Sequence, residues 1–279
     1  MNSSISTPDT SDTDLIKVSK WLSANARPEK IGLALRRAID WVIDGARTQR
    51  YDLKQVEQSE KLYLGNRVEH EIIHELNLVK KPQGIDTTIC DIPVDIKFSI
   101  GSSWMIPPEG INYICMLISA NDYKSQFSLG IFRAYEEYLN KPNRDMKRSI
   151  SKTNGMPNIH WLLNNAPFPD NFLLNLNPEI RKEILSQKSG QARVTQAFRL
   201  VLEKPISAVT LDTLAVQRDP SKRARDARKQ LISEGIQVLC GRWKSDLEEL
   251  EKLNLPTLQQ DQWLSTRRKS SLPPLHQND

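Results

Sequence analysis

The chain has 279 residues, enough for one large domain or two smaller ones with separate cores, and its 39 Lys and Arg against 34 Asp and Glu leave a net charge of +5. No apolar run approaches membrane-spanning length, and the polar, acidic start MNSSISTPDTSDTD is unlike a secretory signal, so neither a membrane span nor export is expected. Cys90, Cys115 and Cys240 are odd in number and lack metal-type spacing, and Cys90 and Cys115 sit in apolar runs; reduced core thiols of a cytoplasmic protein are expected.

In chain order, residues 1–13 read as disordered. A first helix fits Asp14–Ala24. A second opens at Pro28, a good first helical residue, carries Ile31, Leu35, Ile39 and Val42 on one stripe, and ends at Asp44-Gly45. A third helical stretch starts near Asp52 and runs to about Leu76, with Gly65 as a candidate break. The pattern then changes to short buried or period-two runs, read as strands at Thr87–Asp91, Val94–Ser99, Tyr113–Ser119 and Phe127–Ala134. Tyr113–Ile118 is apolar throughout, as in a central strand covered on both faces. These elements describe a mixed α/β domain over residues 14–165.

A Pro- and Asn-rich stretch, Asn164–Pro178, supplies a linker over 166–178. Beyond it, Val194, Ala197, Phe198 and Val201 form one helix face. A short helix follows at Leu211–Val216, and Pro220-Ser221 opens a longer one reaching Glu234. Gly235 caps it, and Ile236–Leu239 reads as a strand. Three helices and a strand, the third helix basic, are the order of a winged helix-turn-helix over 179–264. Lys222, Arg223, Arg225, Arg228 and Lys229 would line its recognition helix, with Ala224, Ala227 and Leu231 packed behind. Residues 265–279 read as a flexible tail.

Positive charge is clustered. Between Arg218 and Lys229 six Lys or Arg face two Asp, and between Lys141 and Lys152 five face one. Such clusters are a footprint of polyanion binding, although a solvated helix face produces the same pattern.

The stretch Asp86–Lys97 carries the most chemistry. In a strand over Val94–Phe98, Val94, Ile96 and Phe98 point to a core while Asp95 and Lys97 emerge together on the other face. A turn at Asp91-Ile92-Pro93 brings Asp86 back beside Asp95. Two carboxylates and an ammonium at a sheet edge suit a divalent metal and a water activated beside it.

His70-Glu71-Ile72-Ile73-His74 matches the zinc-protease pattern HExxH in form. On a wheel of about 100° per residue, however, Val68, Ile72, Ile73 and Leu76 share the buried arc, and both histidines face away from it. Glu69 falls inside that arc, where a carboxylate is costly unless paired or bound to a cation. Glu69, Asp86, Asp95 and Lys97 therefore form one constellation, with Glu71 in place of Glu69 if the helix is rotated.

This constellation resembles the PD-(D/E)xK nuclease pattern. The segments Trp104-Met105-Ile106-Pro107-Pro108-Glu109 and Lys188-Ser189-Gly190-Gln191-Ala192-Arg193-Val194 are similar to those of NaeI-type restriction endonucleases, and the likeness runs from about Glu29 through Leu239. The resemblance implies a nuclease domain followed by a winged-helix domain, in a homodimer that cuts both strands of double-stranded DNA. It further implies that the family's metal-site residues are Glu69, Asp86, Asp95 and Lys97 here, and that a second DNA site per dimer activates cleavage. Mg²⁺ is the expected cofactor, held by Asp86 and Asp95 with the Ile96 carbonyl as an extra ligand, while Glu69 would bind a second metal or position the water. Relatives also carry a segment like the ligase motif KxDG. Here it reads Val42-Ile43-Asp44-Gly45, without the lysine that a nucleotidyl intermediate needs, so ligase activity is not expected. Two other readings remain at this stage: a winged-helix DNA-binding protein with a vestigial acidic site, and a nicking repair endonuclease acting as a monomer.

Overall fold

The computed structural model describes residues 12–81, 84–217 and 221–268. Most of the 1–13 segment, the end of the 265–279 tail, Arg218 and Pro220 lie outside the described residues. Cα packing divides the chain into two compact units, residues 1–42 with 56–171, and residues 43–55 with 172–279.

In the first unit, α1 (Thr13–Asn25) is capped by Asp12, whose carboxylate accepts from the Leu15 amide at 2.9 Å. Next come α2 (Pro28–Ile43) and, after α3 (Gly45–Thr48), which belongs to the second unit, α4 (Gln58–Glu75). Helix α4 starts with a capping box between Glu57 and Glu60 and passes through Gly65 unbroken. The sequence expectation of a break there fails because a single glycine costs a helix only about 1 kcal/mol.

Strands β1 (Thr87–Ile89), β2 (Ile92–Ser99), β3 (Met105–Ile106), β4 (Ile114–Asn121), β5 (Gln126–Arg133), β6 (Arg148–Ser149) and β7 (His160–Pro167) complete the unit. The main sheet has the order β1-β2-β4-β5-β7; β2 and β4 are parallel and the other neighbours antiparallel. Residues Ile114–Ile118 of β4 are fully buried, in keeping with a central strand. β3 and β6 form a separate two-stranded ribbon.

The β1–β2 turn is one residue tighter than the sequence suggests. Ile89 pairs with Ile92, and Cys90 and Asp91 take left-handed φ values of 52° and 63°. Pro93 lies inside the strand. Cys90 is consequently exposed at the turn, not in the core, whereas Cys115 and Cys240 are buried.

Alternation along the strands separates two faces. One carries Ile96, Met116, Leu129 and Phe127, with α1, α2 and α4 on that side or beside β2. The other carries Asp95, Lys97, Cys115, Leu117 and Phe132. On that face Trp104, Ile106, Leu139, Ile150 and Ile159 build a second hydrophobic layer. Trp104 also donates from its indole N–H to the Ile118 carbonyl at 2.9 Å. Strand β7 was not legible as a strand, and it occupies the start of the expected linker; Phe168 then packs edge-on against Phe127.

The second unit contains α5 (Pro178–Leu185), α6 (Gly190–Leu200), β8 (Ile206–Ser207), α7 (Ala208–Ala215), α8 (Ser221–Leu231), β9 (Ile236–Cys240), α9 (Lys244–Lys252) and β10 (Gln262–Arg267), with α3 packed on α7. Its sheet has the order β8-β10-β9, antiparallel throughout. Residues 265–267 belong to β10, so the tail expected from Ser265 does not begin there. The core joins Val194, Phe198, Leu211, Leu214, Ala224, Ala227, Leu231 and Val238. The segment Lys188–Val194 has a structural reason. Ser189 caps α6 by accepting from the Ala192 amide, Gly190 passes so close that a Cβ would lie 2.4 Å from the Ala215 oxygen, and Arg193 donates to the Leu214 carbonyl at 2.6 Å.

One buried ion network joins α2 to the β4–β5 turn. Arg36 donates to Asp122 at 2.5 Å and pairs with Asp40 at 2.7 Å, and Asn171 donates to Asp122 at 3.1 Å. Breaking such a pair leaves a buried charge without its partner. Asp122→Ala should therefore destabilise the protein by about 3 kcal/mol, read as a lower midpoint in urea denaturation.

Candidate functional site

The β1–β2 hairpin assembles three of the four predicted residues. Asp86 stands just before β1, and its Oδ2 accepts from the Ile96 amide at 2.7 Å. That bond ties the residue before the hairpin to the middle of β2. Asp95 and Lys97 are two residues apart on β2 and share a face. Lys97 Nζ donates to Asp95 Oδ1 at 2.7 Å and lies 2.7 Å from Oδ2.

Asp95 is buried, with 4% of its surface exposed, and Lys97 is partly buried. Burial is the strongest influence on Asp95, working against the favourable charge of Lys97, and the Asp86 carboxylate adds repulsion. Together they push the Asp95 carboxyl up to about 6. Burial works against the Lys97 ammonium too, but the charges of Asp95 and Asp86 outweigh it, and its pKa is raised. Lys97 thus stays protonated.

The cover over Asp95 comes from the segment that follows Trp104. After β3, a short 3₁₀ turn at Pro108–Gly110 passes over the carboxylate. A Cβ at Gly110 would stand 3.3 Å from Asp95 Oδ2 and 3.2 Å from Ile106 Cγ2. Gly110 is the site residue that sequence reasoning missed. The signal was present, since the glycine directly follows the distinctive Trp104–Glu109 segment.

The fourth predicted residue stands differently. Glu69 lies on the flank of α4 that faces the chain leading to Asp86, and pairs with Lys80 at 3.1 Å. The next residue, Lys81, donates its amide to the Asp86 carbonyl at 2.9 Å. Glu71, the fallback, is the more buried of the two and is held by Arg37 at 2.8 Å and Arg67 at 2.6 Å. The buried arc of α4 thus reaches further toward Glu71 than the helical wheel placed it, because Arg37 of α2 pairs with it on that side and Arg67 of α4 pairs with it from within the helix. His70 meets Lys80 at 2.6 Å and His74 is exposed, so HExxH does not face an enclosed site. Among the described residues no group of three or more His, Cys, Asp or Glu is arranged to hold a metal ion.

Whether a hard cation fits can nevertheless be judged from the atoms present. Asp95 Oδ2 is buried, and its partner is the Lys97 ammonium, 2.7 Å away. Asp86 and Asp95 offer only oxygen donors, the type preferred by Mg²⁺. A buried carboxylate whose charge is destabilised by burial and by a second carboxylate beside it fits a divalent ion.

The basic residues of α8 divide into two sets. Lys222, Arg225 and Lys229 are exposed; Lys222 is 3.6 Å from Asp226. Arg228 is committed internally. It makes a two-pronged contact with buried Asp246 at 2.7 and 3.1 Å and lies over the Trp243 ring, and Asp246 also accepts from the Cys240 amide. Arg223 is half-buried, near Gln217 at 3.4 Å. In the other basic cluster, Arg148 lies in β6 and pairs with Glu136 at 3.3 Å.

The family model described as restriction endonuclease NaeI matches residues 17–274. The type II restriction enzyme NaeI of Lentzea aerocolonigenes is 32% identical over 269 residues, covering 92% of this chain and 84% of that enzyme.

The raised Asp95 pKa fixes a pH dependence. A carboxyl that titrates near 6 when folded and near 3.8 when unfolded favours the folded state fully below pH 4, and that contribution is lost as pH rises through 6. In EDTA, the Tm of the wild-type chain minus that of Asp95→Asn should fall between pH 4.5 and 7.5, by the equivalent of at most about 3 kcal/mol. A difference independent of pH would contradict the site as described.

Proposed function

Because the chain belongs to the NaeI family of type II restriction endonucleases, whose reaction is DNA cleavage, we propose that it is a site-specific, Mg²⁺-dependent endonuclease with Asp86, Asp95 and Lys97 at its centre. The observation that carries this reading is the convergence of those three side chains at one hairpin, with Asp95 buried.

Asp86, Asp95 and the main-chain carbonyl of Ile96 would hold the cation. A bound Mg²⁺ supplies Lewis acidity, lowering the pKa of water and offsetting charge on the phosphate. Lys97 works beside it as a cation. Its ammonium would donate a hydrogen bond to the attacking water or a phosphate oxygen and stabilise the pentavalent transition state. The bond from the Ile96 amide to Asp86 sets the distance between the two carboxylates before substrate arrives. Glu69 enters this scheme as a second-cation or water-positioning residue once released from Lys80.

We assign DNA recognition outside the catalytic hairpin to the second unit. Supporting this is the order α6-β8-α7-α8-β9-β10 with sheet order β8-β10-β9, which is the arrangement of a winged helix with α9 inserted in its wing. Lys222, Arg225 and Lys229 are then the phosphate-facing residues of α8, while Arg228 fastens α8 to β9 and α9. A homodimer, one site per strand of a palindrome and activation by a second DNA copy complete the proposal.

Two experiments test it. Lys97→Ala should lower cleavage of supercoiled plasmid at least 10²-fold while gel-shift affinity in EDTA stays within about twofold. Linear product from the wild type supports double-strand cutting, nicked circles alone support the monomeric nicking enzyme, and retained cutting by Lys97→Ala removes Lys97 from the mechanism. Arg225→Ala should weaken DNA binding and reduce its salt slope by about one phosphate contact without a change in Tm.

A further inference from the structure

The sheet face that carries Asp95 and Lys97 continues, beyond Lys97, into a cavity of about 210 Å³ lined mainly by polar side chains, among them Ser119, Asn121, Lys124, Gln126, Ser128 and Asn165. Register places these side chains in line with the catalytic pair. Ser99 is one pleat beyond Lys97, and its parallel partner on β4 is Ser119; Ser119 pairs with Ser128 and Asn121 with Gln126 across β4 and β5. The cavity therefore opens on the order of 10 Å from Lys97 along the same face.

A strand end that merely meets water needs no special backbone. This one has it. Between the pairs Phe127–Ala166 and Leu129–Leu163, the single residue Ser128 of β5 is opposed by two residues of β7, Asn164 and Asn165. The bulge is pinned by Ser128, whose hydroxyl accepts from the Asn165 amide at 3.0 Å and lies 3.4 Å from Asn164 Oδ1. Asn165 takes a left-handed φ of 52°. Bulges re-aim side chains, and non-glycine residues held in this conformation cluster at ligand sites. Here the result is that Asn165 lines the cavity opposite Asn121 and Gln126.

We propose that this cavity is a base-reading subsite: it holds the edge of a base pair flanking the scissile phosphate, with the amides of Asn165 and Gln126 as the reading groups and Lys124 on the adjoining phosphate. This inference rests on the nuclease reading above. The lining favours bases over backbone. Phosphate contacts draw on Arg and Lys, of which the cavity has one, whereas Asn and Gln present a donor and an acceptor side by side, as a base edge does. The subsite also lies where such reading is useful, because a mismatched base there would displace the phosphate from Asp95 and Lys97.

The test uses the full-length chain, with Gln126→Ala and Asn165→Gly; the second removes the side chain while suiting the left-handed backbone. A pool of duplexes with randomised sequence is cut in Mg²⁺, and the fragment ends are sequenced. The same pool is bound in EDTA, where no cleavage is needed. The subsite predicts that each variant keeps its Tm and its dependence on Asp95, yet loses discrimination roughly tenfold at one or two base pairs beside the cut. An unchanged cleavage profile in variants that still cut would overturn it. Should the wild type cut no DNA, the nuclease reading fails, and the EDTA arm then decides the subsite alone. Weaker or less selective binding by the variants supports it, and identical binding excludes it.

Discussion

A carboxylate as enclosed as Asp95 can exist in three ways: neutralised by a proton, paired with a cationic side chain, or bound to a metal ion. The fold supplies the first two in part and leaves room for the third. Lys97 lies within 2.7 Å of both oxygens, while burial and the neighbouring Asp86 carboxylate raise the proton affinity of the group. Such a group is a cost to stability. Much of the surrounding structure serves to hold it there. The Asp86 carboxylate grips the Ile96 amide, the tight Cys90-Asp91 turn sets the register of β1 on β2, and β4 fixes β2 in the sheet. Gly110 lets the covering turn approach without filling the space beside Oδ2.

The same sheet sorts its residues by face. The side with Ile96 and Met116 is apolar and meets helices, while the opposite side grades from the Trp104 layer through Asp95 and Lys97 to the polar cavity. Strand alternation keeps Asp95, Lys97 and Ser99 on the same face as Ser119 and Ser128. In the second unit the corresponding constraint is the contact between Arg228 and Asp246, which fastens the basic helix to β9 and α9 and leaves Arg225 and Lys229 exposed.

The hairpin that brings Asp86, Asp95 and Lys97 together was legible in the sequence because its information is local: period-two alternation, two acids and a lysine within twelve residues. The parts that were not legible depend on distant partners. Strand β7 hides behind a bulge, where Asn164 and Asn165 interrupt the alternation that would mark it. The burial of Glu71 depends on Arg37, which belongs to another helix. Arg228 looked like its basic neighbours until Asp246, eighteen positions later, was seen to hold it. The segment 43–55 packs with the second unit although it follows α2 without any change in composition.

The central claim is that Asp95 serves a cation-dependent cut at defined DNA sites. The most direct measurement is digestion of unmodified phage DNA by the purified chain, in Mg²⁺ and in EDTA, beside Asp95→Ala. Discrete fragments that require both Mg²⁺ and Asp95 are the predicted result. Cutting that survives Asp95→Ala or EDTA, or DNA left intact by the wild type in Mg²⁺, would contradict the account.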